Sequence, residues 1–128
     1  MGNAVNGRTL AKAIAQRDAY AITFDRIFDN VSEILTPVVP IPLKANTNIG
    51  GHDLSPEDAS LVSRFNMPVN IARTPSLTMP CGFTDDGAPV GFQLVARRLH
   101  EQQLLNLGAA YQSITPWHRA HPKDSRPS

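Results

Sequence analysis

The sequence contains one cysteine, Cys81. A lone thiol cannot close an internal disulfide, so a reducing compartment, the cytoplasm, is expected. Charge of one sign is nowhere concentrated: 12 basic and 11 acidic residues leave a formal charge of +1. Without a block of like charge, neither nucleic acid nor an anionic membrane is the expected partner. No apolar run approaches the ~18 residues that a membrane span needs. Met1-Gly2-Asn3-Ala4-Val5-Asn6 lacks the basic and apolar regions of a signal peptide, and position six is not the Ser or Thr that myristoylation wants. What is left is a soluble chain of 128 residues, close to the commonest size of a single domain.

Several chemistries are missing as well. No Gly-x-Ser-x-Gly elbow and no Ser-x-x-Lys pair occurs. The three lysines, Lys12, Lys44 and Lys123, adjoin no Gly/Ser-rich turn that could build an oxyanion hole. Gly50-Gly51 and Gly82 belong to no phosphate-binding fingerprint. His118 and His121 are spaced to share a helix face, but no carboxylate or cysteine pair completes a zinc set. Neither His52, His100, His118 nor His121 stands in a cysteine-enzyme motif, and Cys81 follows a strand rather than opening a helix. Small and half-buried, Cys81 reads as filler at a strand end more readily than as a nucleophile. Asp85-Asp86-Gly87 is turn chemistry with solvated acids.

What is present is a sequence of elements. Leu10, Ile14, Tyr20, Phe24, Ile27, Phe28 and Val31 form one apolar stripe, so a long amphipathic helix is expected over about Thr9 to Val31, capped by Thr9. Arg17 falls near the edge of that stripe, where its stem can pack while its head reaches a carboxylate or water. The length suggests packing across a larger body. Glu33 to Pro37 reads as a short strand, ended by Pro37, Pro40 and Pro42. Lys44 to Asp53 reads as a loop. Ser55 should cap a short helix reaching about Phe65, with Pro56 at its first position and acids in its first turn. Phe65 to Thr74, with Pro68, reads as irregular. Ser76 to Met79 and Pro89 to Ala96 read as strands that need not form a tight hairpin, with Pro80-Cys81-Gly82 terminating the first. Glu101 to Ile114 is a second amphipathic helix, carrying Leu104, Leu105, Leu107, Tyr111 and Ile114. The expected organisation is one α/β domain over residues 1–114 and a proline-rich polar tail over 115–128. Three short strands are few, so further strands are expected from another chain or a second copy.

Taken in order, these segments resemble the amidase signature family. Ile34-Leu35-Thr36-Pro37-Val38-Val39-Pro40 is similar to that family's LLTPTxP, and Pro68-Val69-Asn70 to its PxN. Pro75 to Phe83 resembles PAISVPCGF, Gly87 to Val95 resembles GLPVGLQLVG, and the last helix with Trp117-His118 resembles the closing LLRLAAAYEQATxWH. The resemblance implies a partial α/β/α fold: a few-stranded mixed sheet flanked by a long N-terminal helix and a C-terminal amphipathic helix. It implies amide hydrolysis by a Ser–cis-Ser–Lys triad whose segments lie upstream in the family, so no catalytic residue carries over. No cofactor and no metal is called for. Ser63, Asn70, Arg73 and Cys81 fall on segments that border the substrate pocket.

Two positions depart from the family pattern. Arg73 stands where the family has a glycine, which asks Arg for a positive φ at some cost or lets it point a charge at the pocket. Ser63 stands where glutamine-using relatives carry an acid, and a hydroxyl is a poor partner for a buried ammonium. Two functional readings follow. The chain is the C-terminal portion of an amidase, inactive alone, whose partners would be an N-terminal amidase chain and, once complete, an amide substrate. The alternative is a non-enzymatic module that self-associates or binds a partner through an exposed sheet edge and apolar helix faces. A Cys–His hydrolase is a third, poorer reading.

Overall fold

A computed structural model describes residues 5–40, 55–85 and 87–120. The loop expected over Lys44 to Asp53 lies outside the described residues, as do Asp86, His52 and His121. The elements run α1 (Gly7–Asp25), a 3-10 turn (Arg26–Asp29), β1 (Glu33–Pro37), α2 (Pro56–Ser63), α3 (Asn66–Ala72), β2 (Ser76–Phe83), β3 (Pro89–Ala96), α4 (Glu101–Ile114) and a second 3-10 turn (Trp117–Arg119).

The sheet has the order β1-β3-β2, with both pairings antiparallel. The mixed character implied by the resemblance is not carried by these three strands. A parallel pair needs a crossover of a dozen or more residues; β2 and β3 are joined by a short turn and pair directly as a hairpin. Gly87, at φ 84°, supplies that turn, and the Thr84 and Ala88 backbones close it.

Helices cover both faces of the sheet. On one side α4 packs through Leu104 onto Met79, Leu94 and Ala96, with Leu77, Phe92 and Tyr111 around them. On the other, Phe28 and Val69 pack on Val95, with Phe24 and Ile34 beside them. Alternation explains the split: neighbours along a strand point to opposite faces, so Leu94 and Val95 serve different helices. Gln93 is a polar residue in this core, and its amide donates to Thr36 Oγ1 and to the Phe65 carbonyl.

Four expectations are corrected. The cap of α1 is Asn6, not Thr9: Asn6 Oδ1 accepts the Thr9 N–H at 2.9 Å, the reach of a cap to the third residue beyond it. The helix stops at Asp25 rather than Val31, because the chain tightens into the 3-10 turn that swings Phe28 under the sheet. No residue of α1 is fully buried, and Leu10 and Ile14 stand exposed. The stretch with Pro68 is helical. Pro68 is the third residue of α3, where a backbone N–H would have no partner inside the helix anyway. Finally, β2 does not end at Met79; it continues through Pro80-Cys81-Gly82 to Phe83.

The expectations for β1 and α4 match the structure, as does the Ser55 cap, whose hydroxyl accepts the Asp58 N–H at 3.1 Å.

Candidate functional site

The Pro80-Cys81-Gly82 stretch is a bulge. Pro80 pairs with Gly91 and Gly82 with Val90, so Cys81 is the extra residue opposite no partner. Gly82 takes φ 147°, a conformation that side-chain-bearing residues avoid. Tyr111 Oη donates to the Pro80 carbonyl at 3.3 Å and so ties α4 to the bulge. Trp117 meets Phe83 edge-on at 6.2 Å just beyond it. Cys81 is half-buried, and its thiol makes no hydrogen bond among the described residues. His100 Nδ1 is engaged with Gln103 Oε1, and His118 Nδ1 is buried without a partner. Among the described residues no proton acceptor is therefore paired with the thiol, and the nucleophile reading loses its base.

Beside the bulge lies an apolar groove of about 480 Å³, lined by Val38, Val39, Pro40, Met79, Pro80 and Val90. Its polar edges are Thr78 and Thr84. Cys81 is next to this groove in sequence but is not part of its wall.

The other candidate positions lie elsewhere. Ser63 ends α2 and its hydroxyl bonds back to the Ala59 carbonyl at 3.1 Å. It lines a second cavity, about 610 Å³, with Tyr20, Arg64, Met67 and Ile71. Arg73 closes α3 at φ 59°, ψ 37°, the left-handed conformation that the family's glycine would adopt freely. Its N–H bonds to Asn70 O and the Thr74 N–H to Val69 O, which is the Schellman pattern. The Arg73 guanidinium turns to Asp18 at 2.9 Å, and Arg17 binds the same carboxylate oxygen at 3.1 Å. Asn70 is exposed on α3 and lines none of these cavities. Among the described residues the four positions do not share any one of these cavities.

The polar cluster that sequence reasoning missed is centred on Arg97, just past β3. Its guanidinium binds Asp29 Oδ1, Asp25 Oδ2 at 3.2 Å and the Asp25 carbonyl at 3.1 Å. Its affinity for its proton is raised, first by the hydrogen bond to Asp29 and then by the Asp25 and Asp29 charges, against the opposing effect of burial. Arg97 locks the 3-10 turn to the end of β3. Among the described residues, no group of three or more His, Cys, Asp or Glu side chains could hold a metal ion, and no helix is long and apolar enough to cross a membrane.

A three-layer α/β/α unit with no assembled catalytic set among its described residues is what the fold and these cavities define. The chain belongs to the Amidase family, whose sequence profile matches residues 1–105. It is 36% identical over 99 residues to a glutamyl-tRNA(Gln) amidotransferase subunit of Thermodesulfovibrio yellowstonii, covering 77% of this chain and 20% of that protein. It is 38% identical over 103 residues to the corresponding protein of Trichormus variabilis, with 80% and 20% covered. The chain thus spans about a fifth of the length of the curated relatives it matches. Among solved structures, 6-aminohexanoate cyclic dimer hydrolase superposes with a TM-score of 0.77 over 94% of this chain and 27% of that one, at 24% identity, which speaks to the fold alone. The glutamyl-tRNA(Gln) amidotransferase subunit of Thermotoga maritima superposes with a TM-score of 0.67, at 25% identity, over 84% and 23%.

Proposed function

We propose that this chain is the C-terminal segment of an amidase-type enzyme that hydrolyses carbon–nitrogen bonds. In this reading it contributes sheet scaffold and pocket-bordering loops and does not turn over amides alone. The observation that carries this is the pairing of family membership with a match to only a fifth of the relatives' length. The Ser–cis-Ser–Lys segments of the family have no counterpart in the sequence. The segments carrying Ser63, Asn70, Arg73 and Cys81 would close one side of a substrate pocket whose reacting groups come from elsewhere. The partner is then a polypeptide with the remaining length of an amidase, and the substrate an amide. Ser63 in place of an acid weighs against glutamine as that amide.

The test is to assay the purified chain on simple anilides and amides, alone and co-expressed with the upstream four-fifths of a family member. No turnover alone and turnover on co-expression is expected. Turnover by the chain alone that survives Cys81→Ala would overturn the reading.

A further inference from the structure

Helix α4 covers only part of its face of the sheet. Its cluster joins Leu104 to Leu77 and Met79 of β2 and to Phe92, Leu94 and Ala96 of β3, and holds no described residue of β1. Directly paired residues of an antiparallel ladder share a face, so Leu35, paired with Leu94, lies on this side too. Leu94 is 4% exposed, but Leu35 is 65% exposed. The helix turns apolar residues to the same gap. His100 and Gln103 line one cavity with Val31 and Ser32, so that flank of α4 faces the start of β1. At about 100° per residue, Leu107 and Ile114 fall on that flank and Leu105 on the opposite one. Leu107 also stands level with Leu35, because Leu104 packs by Leu94 on one side of it and Tyr111 meets Phe92 at 5.0 Å on the other. Leu107 and Ile114 are both exposed. Leu35, Leu107 and Ile114 thus border one uncovered apolar seat beside α4.

We propose that this seat is the docking surface for a helix of the remaining amidase polypeptide, laid beside α4 over β1. The proposal rests on the hydrolase reading and names where that partner binds. Spacing sets the shape of the occupant. Neighbouring strands lie about 4.8 Å apart and packed helices about 8–10 Å apart. One helix therefore covers two strands. With α4 over β2 and β3, the next helix of that layer falls over β1 and the strand beyond it. No described helix of this chain is free to fill the place: α3 and the 3-10 turn after α1 pack on the other face, and α1 and α2 lie against α3. The length for a further helix exists in the relatives. This chain spans about a fifth of the curated ones, and the matched unit is 27% of the hydrolase chain of like fold. The apolar rim suits the apolar stripe of an amphipathic helix.

The test pairs the full chain with the upstream four-fifths of the Thermodesulfovibrio yellowstonii relative and reads binding and amide turnover separately. Leu35→Glu and Leu107→Glu should each weaken the complex about tenfold or more, because each buries a charge in the seat. Leu105→Glu, on the far flank of α4, should leave it unchanged. All three should melt like the parent when alone; if Leu107→Glu does not fold, Ile114→Glu at the end of the helix replaces it. A complex weakened in this pattern upholds the surface even if no amide is turned over, which would count against the hydrolase reading alone. A complex that turns over amides yet holds Leu35→Glu and Leu107→Glu as tightly as the parent overturns the surface and leaves that reading standing. No complex with the parent chain overturns both. A doubling of mass by the chain alone that Leu35→Glu abolishes overturns the surface in favour of a second copy.

Discussion

Arg73, held at φ 59°, reaches back across 55 residues of sequence to place its guanidinium 2.9 Å from Asp18 on α1. The residue that breaks the family's glycine pattern is thus also a tie between α3 and α1. Two opposed effects meet there. A left-handed Arg costs roughly 1–2 kcal/mol relative to glycine, while an exposed ion pair contributes about 0.2–1 kcal/mol.

Strain is the larger of these effects, but the greater freedom of glycine in the unfolded chain offsets about 0.4–1 kcal/mol of the relief, so Arg73→Gly should leave stability within about 0.5 kcal/mol of the parent. Asp18→Asn, which loses the pair and keeps the strain, should lower it by less than about 1 kcal/mol. Urea unfolding of both variants checks this; a loss in Arg73→Gly larger than in Asp18→Asn would show that the ion pair dominates.

Gly108 lets α4 approach the sheet. A Cβ there would lie 2.7 Å from Leu77 Cδ2 and 3.3 Å from Met79 Sδ. The tip of Leu77 can move, and alanine gains roughly 1 kcal/mol of helix propensity over glycine. Gly108→Ala is therefore expected to stay within about 1 kcal/mol of the parent. Gly108→Val, whose branch cannot escape the same contact, should cost about 1–3 kcal/mol. Paired thermal melts decide it; equal losses would mean that α4 slides rather than clashes.

Leu104 is 2% exposed and sits at the centre of the α4 side of the core. Leu104→Ala should cost about 2–5 kcal/mol, a large part of the ~5–15 kcal/mol that holds such a domain. Leu105→Ala, one residue along and 57% exposed, should cost under about 1 kcal/mol. Similar losses at both positions would contradict the packing.

The Arg97 cluster predicts a flat pH response over the basic range. The folded-state affinity of Arg97 for its proton is raised, so its contribution is fully present below the ordinary arginine range and is lost only as pH climbs through the still higher folded-state value. Arg97→Gln should lower the denaturation midpoint by the same amount from about pH 7 to about pH 10. A difference that shrinks within that window would place the stabilisation on another group.

Local chemistry made β1, α4, the Ser55 cap and the Gly87 turn readable in advance, because caps, turns and periodicities act over three or four residues. The strain at Arg73 was visible only through the family resemblance, as an arginine where the family has a glycine. Pro68 misled because proline disfavours helix interiors, yet it sits in the first turn of α3, where its missing N–H costs nothing. Pro80-Cys81-Gly82 misled for a different reason: a bulge is a mismatch between two strands, and no single strand records it.

The Arg97–Asp25–Asp29 cluster was invisible for a related reason. Arg97 lies 72 residues from Asp25 and 68 from Asp29, and only the docking of the 3-10 turn beneath the sheet brings them together.

By itself the sequence determined the class of fold, the family and the order of the elements apart from α3 and the two 3-10 turns, because each rests on short ordered motifs. Tertiary structure alone decided that Cys81 is the unpaired residue of a bulge and, among the described residues, which cavity Ser63 and Arg73 each line. Those are relations between segments distant in the chain, set by strand register and helix docking.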